Sequence, residues 1–357
     1  MRPEVSIVIP TFNRGNLISQ TLTSISHQTL GNWEVIVVDD GSTDNAVSVI
    51  ESWVQSDDRI HYIQRQTLPT GACACRNLGT ASTQGRYVIY LDSDDLLATT
   101  SLENRVAEMD ANPDLDFGIF SGVLFKNRPD DLKIVFNLES TSIDLDRFLS
   151  LDVPWQTTGP IWRKSSLDYY DLEWNENLLS WQDVEFHVHA LALNLNYKNF
   201  PIQDFYYRVM QNFSIQTDII TSHHLRSRWG DCLSAIHSHL VSNSCDTPER
   251  EELIISLYFN WMDQWLHIGQ VEEAKRAWEI CLNQLAIEPK LYRSGCWYIH
   301  ITQKLSFHPY VHKIVRRGLR EYLKLTCGKP KIIPQWSKTF MRVPTKLPLA
   351  PSIYFNI

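Results

Sequence analysis

The 357-residue chain has no run of about 18 consecutive apolar residues, the length a membrane-spanning helix needs. Its N-terminus enters strand-like sequence almost at once, with no apolar leader ahead of it, and cytoplasmic residence is the expectation that follows. Cysteine is sparse: seven residues, odd in number and scattered, suit reduced thiols better than a disulfide framework. Cys73-x-Cys75 is the one close pair, and it reads as small packing residues. Positive charge is also short, with 33 Lys and Arg against 41 Asp and Glu, so generic nucleic-acid binding is excluded. That shortage is local. Residues 311–357 carry a net +9 and the rest of the chain −17. A Gly-x-Gly-x-x-Gly phosphate loop is missing after the first strand, where Pro10-Thr11-Phe12-Asn13-Arg14-Gly15 stands, which argues against a dinucleotide oxidoreductase.

What is present is organised around Tyr87-Val88-Ile89-Tyr90-Leu91-Asp92-Ser93-Asp94-Asp95. An apolar run of strand length that ends in three carboxylates within four residues is electrostatically costly unless a cation sits there. Asp-x-Asp at the carboxyl end of a strand suits a hard divalent ion, Mg²⁺ or Mn²⁺, that bridges to a diphosphate. The plainer reading is a polar strand exit that caps a helix, and the surrounding sequence decides between them. A phosphatase that uses Asp-x-Asp would carry Thr or Val two residues beyond the second Asp, and Leu96 stands there.

The periodicity predicts a strand over Val5–Pro10, a helix capped by Asn16 and closed by Gly31, and a strand over Trp33–Val38 ending in Asp39-Asp40-Gly41-Ser42. A helix over about 44–55 and a strand over 60–64 follow. Thr100-Ser101-Leu102-Glu103 has the form of a capping box opening a helix that Asn112-Pro113 ends. Alternating β and α elements predict an α/β fold with a mostly parallel sheet covered on both faces. Ligands collect at the carboxyl ends of such strands, so Thr11, Asp40 and Asp92 are expected to line one crevice.

VSIVIPTFNR, WEVIVVDDGSTD and GACACRNLGTASTQGRYVIYLDSDD, in that order and spacing, resemble the nucleotide-binding half of the family 2 glycosyltransferases of GT-A fold. GPIWRKS at 159–165, WNENL at 174–178 and WQDVEF at 181–186 resemble the acceptor half, and YYRV at 206–209 the strand after it. The resemblance implies a metal-dependent, inverting transferase, hexosyltransferase in type, that moves a sugar from a nucleotide donor, a UDP-sugar, to a glycan or lipid-linked acceptor. It assigns Thr11 and Phe12 to base and ribose, Asp40 to the base, Arg76 to base or phosphate, Asp92 with Ser93 to the nucleotide sugar, and Asp94 to Mn²⁺ or Mg²⁺. Asp95 is expected to cap the next turn. Asp183 is implied as the base that takes the acceptor's proton. Gln182 departs from the family's Glu and, with Trp181, is placed toward the acceptor. A non-catalytic nucleotide-binding relative that serves as a partner module is the rival reading.

The domains read as 1–220, with a nucleotide-sugar half at 1–98 and an acceptor half at 99–220, a helical region at 221–325, and a basic, Pro-punctuated tail at 326–357. Of Trp155, Trp162, Trp174 and Trp181, most are expected in the core. His223-His224 offers a further metal ligand or a solvated helix start. The basic segment His312–Lys324 has the makings of an amphipathic helix suited to peripheral contact with anionic lipid, or to docking on the acidic remainder.

Overall fold

The computed structural model describes residues 2–136, 140–209, 228–285, 287–305 and 341–342. The expected borders at 220 and 325, His223-His224 and the basic segment at 312–324 lie outside them. The chain divides into two compact units, one of Met1–Thr141, Val153–Phe213 and Ser337–Ile357, the other of Ser142–Asp152 and Ser214–Trp336.

The first unit begins β1 (Val5–Thr11), α1 (Gly15–Ser26), β2 (Trp33–Asp39), α2 (Ala46–Ser56), β3 (Ile60–Gln64), α3 (Ala72–Ser82) and β4 (Tyr87–Tyr90). β1, β2 and β4 are wholly buried, as continuous Val/Ile runs in a sheet covered on both faces must be. β2 and β3 extend the sheet to one side of β1 and β4 pairs on the other, all in parallel. The chain therefore reverses its winding between β1 and β4, and a crevice opens at their carboxyl ends. α3 comes close to the sheet at Gly79, where a Cβ would stand 2.4 Å from a Val8 methyl.

Beyond β4 come β5 (Leu96–Leu97), α4 (Ser101–Ala111), β6 (Phe117–Phe125) and β7 (Ile134–Phe136). The short α5 (Asp144–Leu149) belongs to the second unit. The first unit resumes with β8 (Pro160–Arg163), α6 (Lys164–Tyr169), α7 (Gln182–Ala192) and β9 (Tyr197–Arg208). β8 lies antiparallel between β4 and β6, and β9 runs parallel to β6. The strands beyond β4 thus add antiparallel pairs to the parallel strands before them, giving a mixed α/β sheet. Trp155, Trp162 and Trp174 are core residues, with Trp162 stacked on Phe117 at 4.3 Å and Trp174 on Phe186 at 4.1 Å.

The second unit is helical: α8 (Trp229–Ser242), α9 (Pro248–His267), α10 (Val271–Gln284) and α11 (Pro289–Leu305). α9 has Thr247 as its cap, accepting from the Arg250 amide, and Gly269 at φ +77 turns the chain into α10. Among the described residues no helix is long and apolar enough to cross a membrane. The last described strand is β10 (Met341–Arg342), paired with β7.

Three local expectations are corrected. α1 starts after Arg14, not at an Asn16 cap, and its Gly15 amide is satisfied by the Asp44 carboxylate at 2.9 Å, a tertiary contact that short-range reading cannot see. The same helix ends at Ser26, well before Gly31. Thr100 and Glu103 form no capping box, because Glu103 instead accepts from the Thr29 hydroxyl at 2.7 Å.

Candidate functional site

The first wall of the crevice is the exit of β1. Thr11 is buried, and its hydroxyl has no hydrogen-bond partner among the described residues. Its carbonyl accepts from the Asp40 amide at 2.9 Å, which ties the β1 and β2 exits together. Phe12 is 54% exposed, so core packing does not account for its ring. Asp39 and Asp40 divide their work. Asp39 is buried and accepts from the Ser42 amide and hydroxyl, closing the turn, whereas Asp40 faces the other way and accepts from Arg65 Nη1 at 2.5 Å and the Gly71 amide at 2.6 Å.

The second wall is the Asp-rich exit of β4, and each of its carboxylates has a different environment. Asp92 accepts from Arg76 Nη2 at 2.8 Å. Ser93 is buried and its carbonyl accepts from the Thr21 hydroxyl. No side chain among the described residues donates to the Asp94 carboxylate, and burial, then the neighbouring Asp92, push its proton affinity up against the pull of Arg14 and Arg208. Asp95 was expected to cap a turn and does not. Its carboxylate is fully buried, accepting from the Thr158 hydroxyl and the Arg208 amide, both at 2.9 Å, so it bolts this loop to β9. Burial and the two neighbouring carboxylates raise it well above the ordinary range.

The third wall is the start of α7. Trp181, half-buried at the N-cap, holds the left-handed φ of +56, a conformation that a bulky side chain rarely adopts. Gln182 accepts from Arg76 Nη1 at 3.4 Å and donates to the Leu178 carbonyl at 2.8 Å. Asp183 follows in the first turn, its affinity for a proton raised by burial and moderated by Arg76. Arg76 is itself buried, lies 4.3 Å over the Trp174 ring, and joins the β4 exit to α7. The structure brings it to Asp92 and Gln182, and among the described residues no hydrogen bond joins it to Asp40.

Three further residues belong to this setting and were not singled out from sequence. Tyr207 on β9 feels Asp95, Asp92, Asp183 and Asp94, and burial followed by these carboxylates raises its phenol strongly. Arg208 grips the Asp94 carbonyl at 2.9 Å and Gln20 at 2.7 Å. Arg65 backs Asp40. Tyr207 and Arg208 lie in the YYRV stretch, which the sequence marked only as a strand, and Arg65 stands at the exit of the third strand, the kind of position that drew attention to Thr11, Asp40 and Asp92.

His187, one turn into α7, is buried against Trp162, and burial pushes its pKa down to about 3. The imidazole is therefore neutral in the native state but protonates near its ordinary 6.5 once unfolded. Stability that is complete above pH 6.5 is lost as pH falls toward 3, at about 1.4 kcal/mol per pH unit. Denaturant unfolding at pH 7.5 and 5.0 is expected to show about 2 kcal/mol more acid loss in the wild type than in His187→Phe. Equal losses would remove His187 as the cause.

Among the described residues no three His, Cys, Asp or Glu side chains are placed to hold a metal by themselves. The donor set nevertheless fits Mg²⁺ or Mn²⁺, which take one or two carboxylates and complete their shell with water and substrate phosphates. An Asp94 carboxylate to which no side chain among the described residues donates, its charge disfavoured by burial and by Asp92, is the group such an ion would relieve.

Residues 6–166 match the family model described as Glycosyl transferase family 2. A Campylobacter jejuni protein named GalNAc(5)-diNAcBac-PP-undecaprenol beta-1,3-glucosyltransferase is 37% identical over 100 residues, 28% of this chain and 32% of its own length. The Escherichia coli protein WfgD, named UDP-Glc:alpha-D-GlcNAc-diphosphoundecaprenol beta-1,3-glucosyltransferase, is 37% identical over 106 residues, 29% of this chain and 40% of its own. The chain spans less than half the length of the curated relatives it matches, from 18% to 42%. Among solved structures, S. aureus TarS (residues 1–349) in complex with UDP-GlcNAc aligns with a TM-score of 0.60 at 18% identity, covering 89% of this chain and 92% of that one. At that identity the likeness is one of fold. Over residues 6–166 the chain is thus similar to the family 2 glycosyltransferases, and its mixed α/β fold is similar to that of TarS.

Proposed function

We propose that this protein transfers a sugar from a UDP-sugar to a hydroxyl of a glycan or lipid-linked acceptor, with inversion at the anomeric carbon, in the assembly of a polysaccharide or cell-surface glycan. One observation carries the reading: Arg76 joins Asp92, at the exit of the nucleotide half, to the Gln182-Asp183 start of α7 in the acceptor half. A group that activates an acceptor and a group that holds a donor thereby meet across one buried guanidinium. The names of the two undecaprenol-diphosphate glucosyltransferases support a lipid-linked acceptor, and that of WfgD a UDP donor.

In this mechanism Phe12 offers its exposed ring to the base and Asp40 accepts from the base edge. Asp94, with Asp92 beside it, would hold Mg²⁺ or Mn²⁺, whose chemistry is to neutralise the charge that develops on the departing diphosphate. Asp183 takes the proton from the attacking hydroxyl. Its raised proton affinity suits a base that must accept a proton and yet be ionised at neutral pH. With Asp183 as the base and the acceptor hydroxyl as the nucleophile, one in-line displacement inverts the configuration, as one carboxylate activating one nucleophile does in inverting glycosidases. Trp181 and Gln182 border the acceptor side. The basic segment at 312–324 is the candidate for peripheral contact with an anionic membrane surface.

Calorimetry with UDP, GDP, CDP and dTDP, with and without Mn²⁺, on the wild type and Asp94→Ala tests this. UDP is expected to bind best, to need the metal, and to weaken at least about tenfold in the variant, since one direct ligand of an ion is lost. A folded protein that binds no nucleoside diphosphate would end the reading. Binding without turnover across a panel of UDP-sugars and acceptors would favour the non-catalytic relative.

A further inference from the structure

The donor reading leaves unexplained why a second arginine is buried behind the base-binding wall. Arg65 is among the most enclosed charged side chains of the first unit, 5% exposed, and it stands one residue past β3. Its Nη1 donates to Asp40 Oδ1 at 2.5 Å. The Nη2 donates to two carbonyls of the following loop, Pro69 at 2.6 Å and Thr67 at 3.3 Å. That loop ends at Gly71, whose amide donates to the other Asp40 oxygen at 2.6 Å. The ring is closed: one guanidinium fixes Asp40 directly, and also through the loop that supplies its second donor.

We propose that Arg65 is a positioning residue that sets nucleobase choice by aiming the Asp40 carboxylate. The inference rests on the donor-site reading above. An ionised carboxylate only accepts hydrogen bonds. Each Asp40 oxygen already accepts one, and the side chain is 12% exposed, so the crevice reaches little more than one remaining lone-pair direction. The base edge that satisfies a single aimed acceptor is the imide N3–H of uracil. Cytosine presents a lone pair at N3 and is repelled, while guanine presents two adjacent donors, which call for both oxygens at once. Phe12, exposed beside the Thr11 carbonyl that holds the Asp40 amide, contributes a face that stacks on any base and so adds affinity without selectivity. Selectivity is then left to Asp40, and its aim to Arg65.

The test is titration of UDP, CDP and GDP, with Mn²⁺ present, into the wild type, Arg65→Gln, Arg65→Lys and Asp40→Asn. Losing an orienting charge-assisted hydrogen bond is expected to weaken UDP by about tenfold or more in Arg65→Gln. CDP and GDP should change much less, so the preference for UDP collapses. Arg65→Lys should recover part of that preference, because it restores one donor to Asp40, and Asp40→Asn should lose it. A general loosening of the fold would weaken all three nucleotides alike and leave their ratios intact. Unchanged ratios in Arg65→Gln, with UDP still bound by the wild type, overturn the inference and spare the proposed function. A wild type that binds none of the three overturns both.

Discussion

Asp183→Asn is expected to lower kcat by a factor of about 10² to 10⁴ while leaving UDP affinity within about threefold of the wild type, because general-base catalysis of this kind supplies rate and not donor binding. Asparagine keeps the size of the side chain and its suitability for the first turn of α7, where Asp183 also meets the positive end of the helix. That second role is worth about 1 kcal/mol or less. A melting temperature close to the wild type's, with activity nearly gone, would therefore assign the loss to chemistry. If the variant turned over at more than about a third of the wild-type rate, Asp183 would be a helix-start carboxylate and the base would have to be sought elsewhere.

The pH profile supplies an independent reading of the same residue. Burial raises the proton affinity of Asp183 and Arg76 opposes it, so the acid limb of kcat/KM should lie above the ordinary carboxylate range. Activity falls as pH drops through that limb, because the base arrives already protonated. Arg76 therefore has a double task. It pairs with Asp92, and its charge opposes the rise in the proton affinity of Asp183 that burial causes.

The parts of this fold that local chemistry dictates were legible in the sequence. The β1 and β2 runs, the 60–64 strand and the acid-terminated β4 follow from alternating apolar runs and polar exits. What escaped was decided by partners far along the chain. Gly15 takes its helix-start acceptor from Asp44, and Glu103 turns from its own helix to Thr29. Asp95 looks like one more member of an acidic cluster until Thr158 and Arg208 are seen to hold it. The same holds for Arg76, where sequence supplied the residue type and only the fold supplied Asp92 and Gln182 as its partners. Motifs located the strand exits. Long-range hydrogen bonds separate Asp95, which holds the loop, from Asp94, to which no side chain among the described residues donates.

That separation has a structural root in the pair Arg105–Asp204, and Asp204→Ala is expected to cost about 3–5 kcal/mol of stability, the usual penalty for stranding one half of a buried ion pair. Both side chains are almost wholly enclosed. Arg105 Nε and Nη2 donate to the two Asp204 oxygens at 2.7 and 2.8 Å, and Ser101 adds a third donor at 3.1 Å. The remaining nitrogen, Nη1, donates to the Thr158 carbonyl at 2.9 Å, and the Thr158 hydroxyl in turn donates to Asp95. In Asp204→Ala the guanidinium stays buried with its charge unmatched. Arg105→Met/Asp204→Leu removes both charges and should recover much of the loss, as hydrophobic replacements of buried pairs often do. The double variant, which lacks the guanidinium, also cuts the link from Arg105 through Thr158 to Asp95, so its metal-dependent UDP binding should weaken even where stability has been restored. Urea unfolding of the three proteins, set beside UDP titrations with Mn²⁺, reads the two effects separately. A double variant that is as stable as the wild type and binds UDP equally well would show that the pair supports the fold alone and that Asp95 needs no help from it.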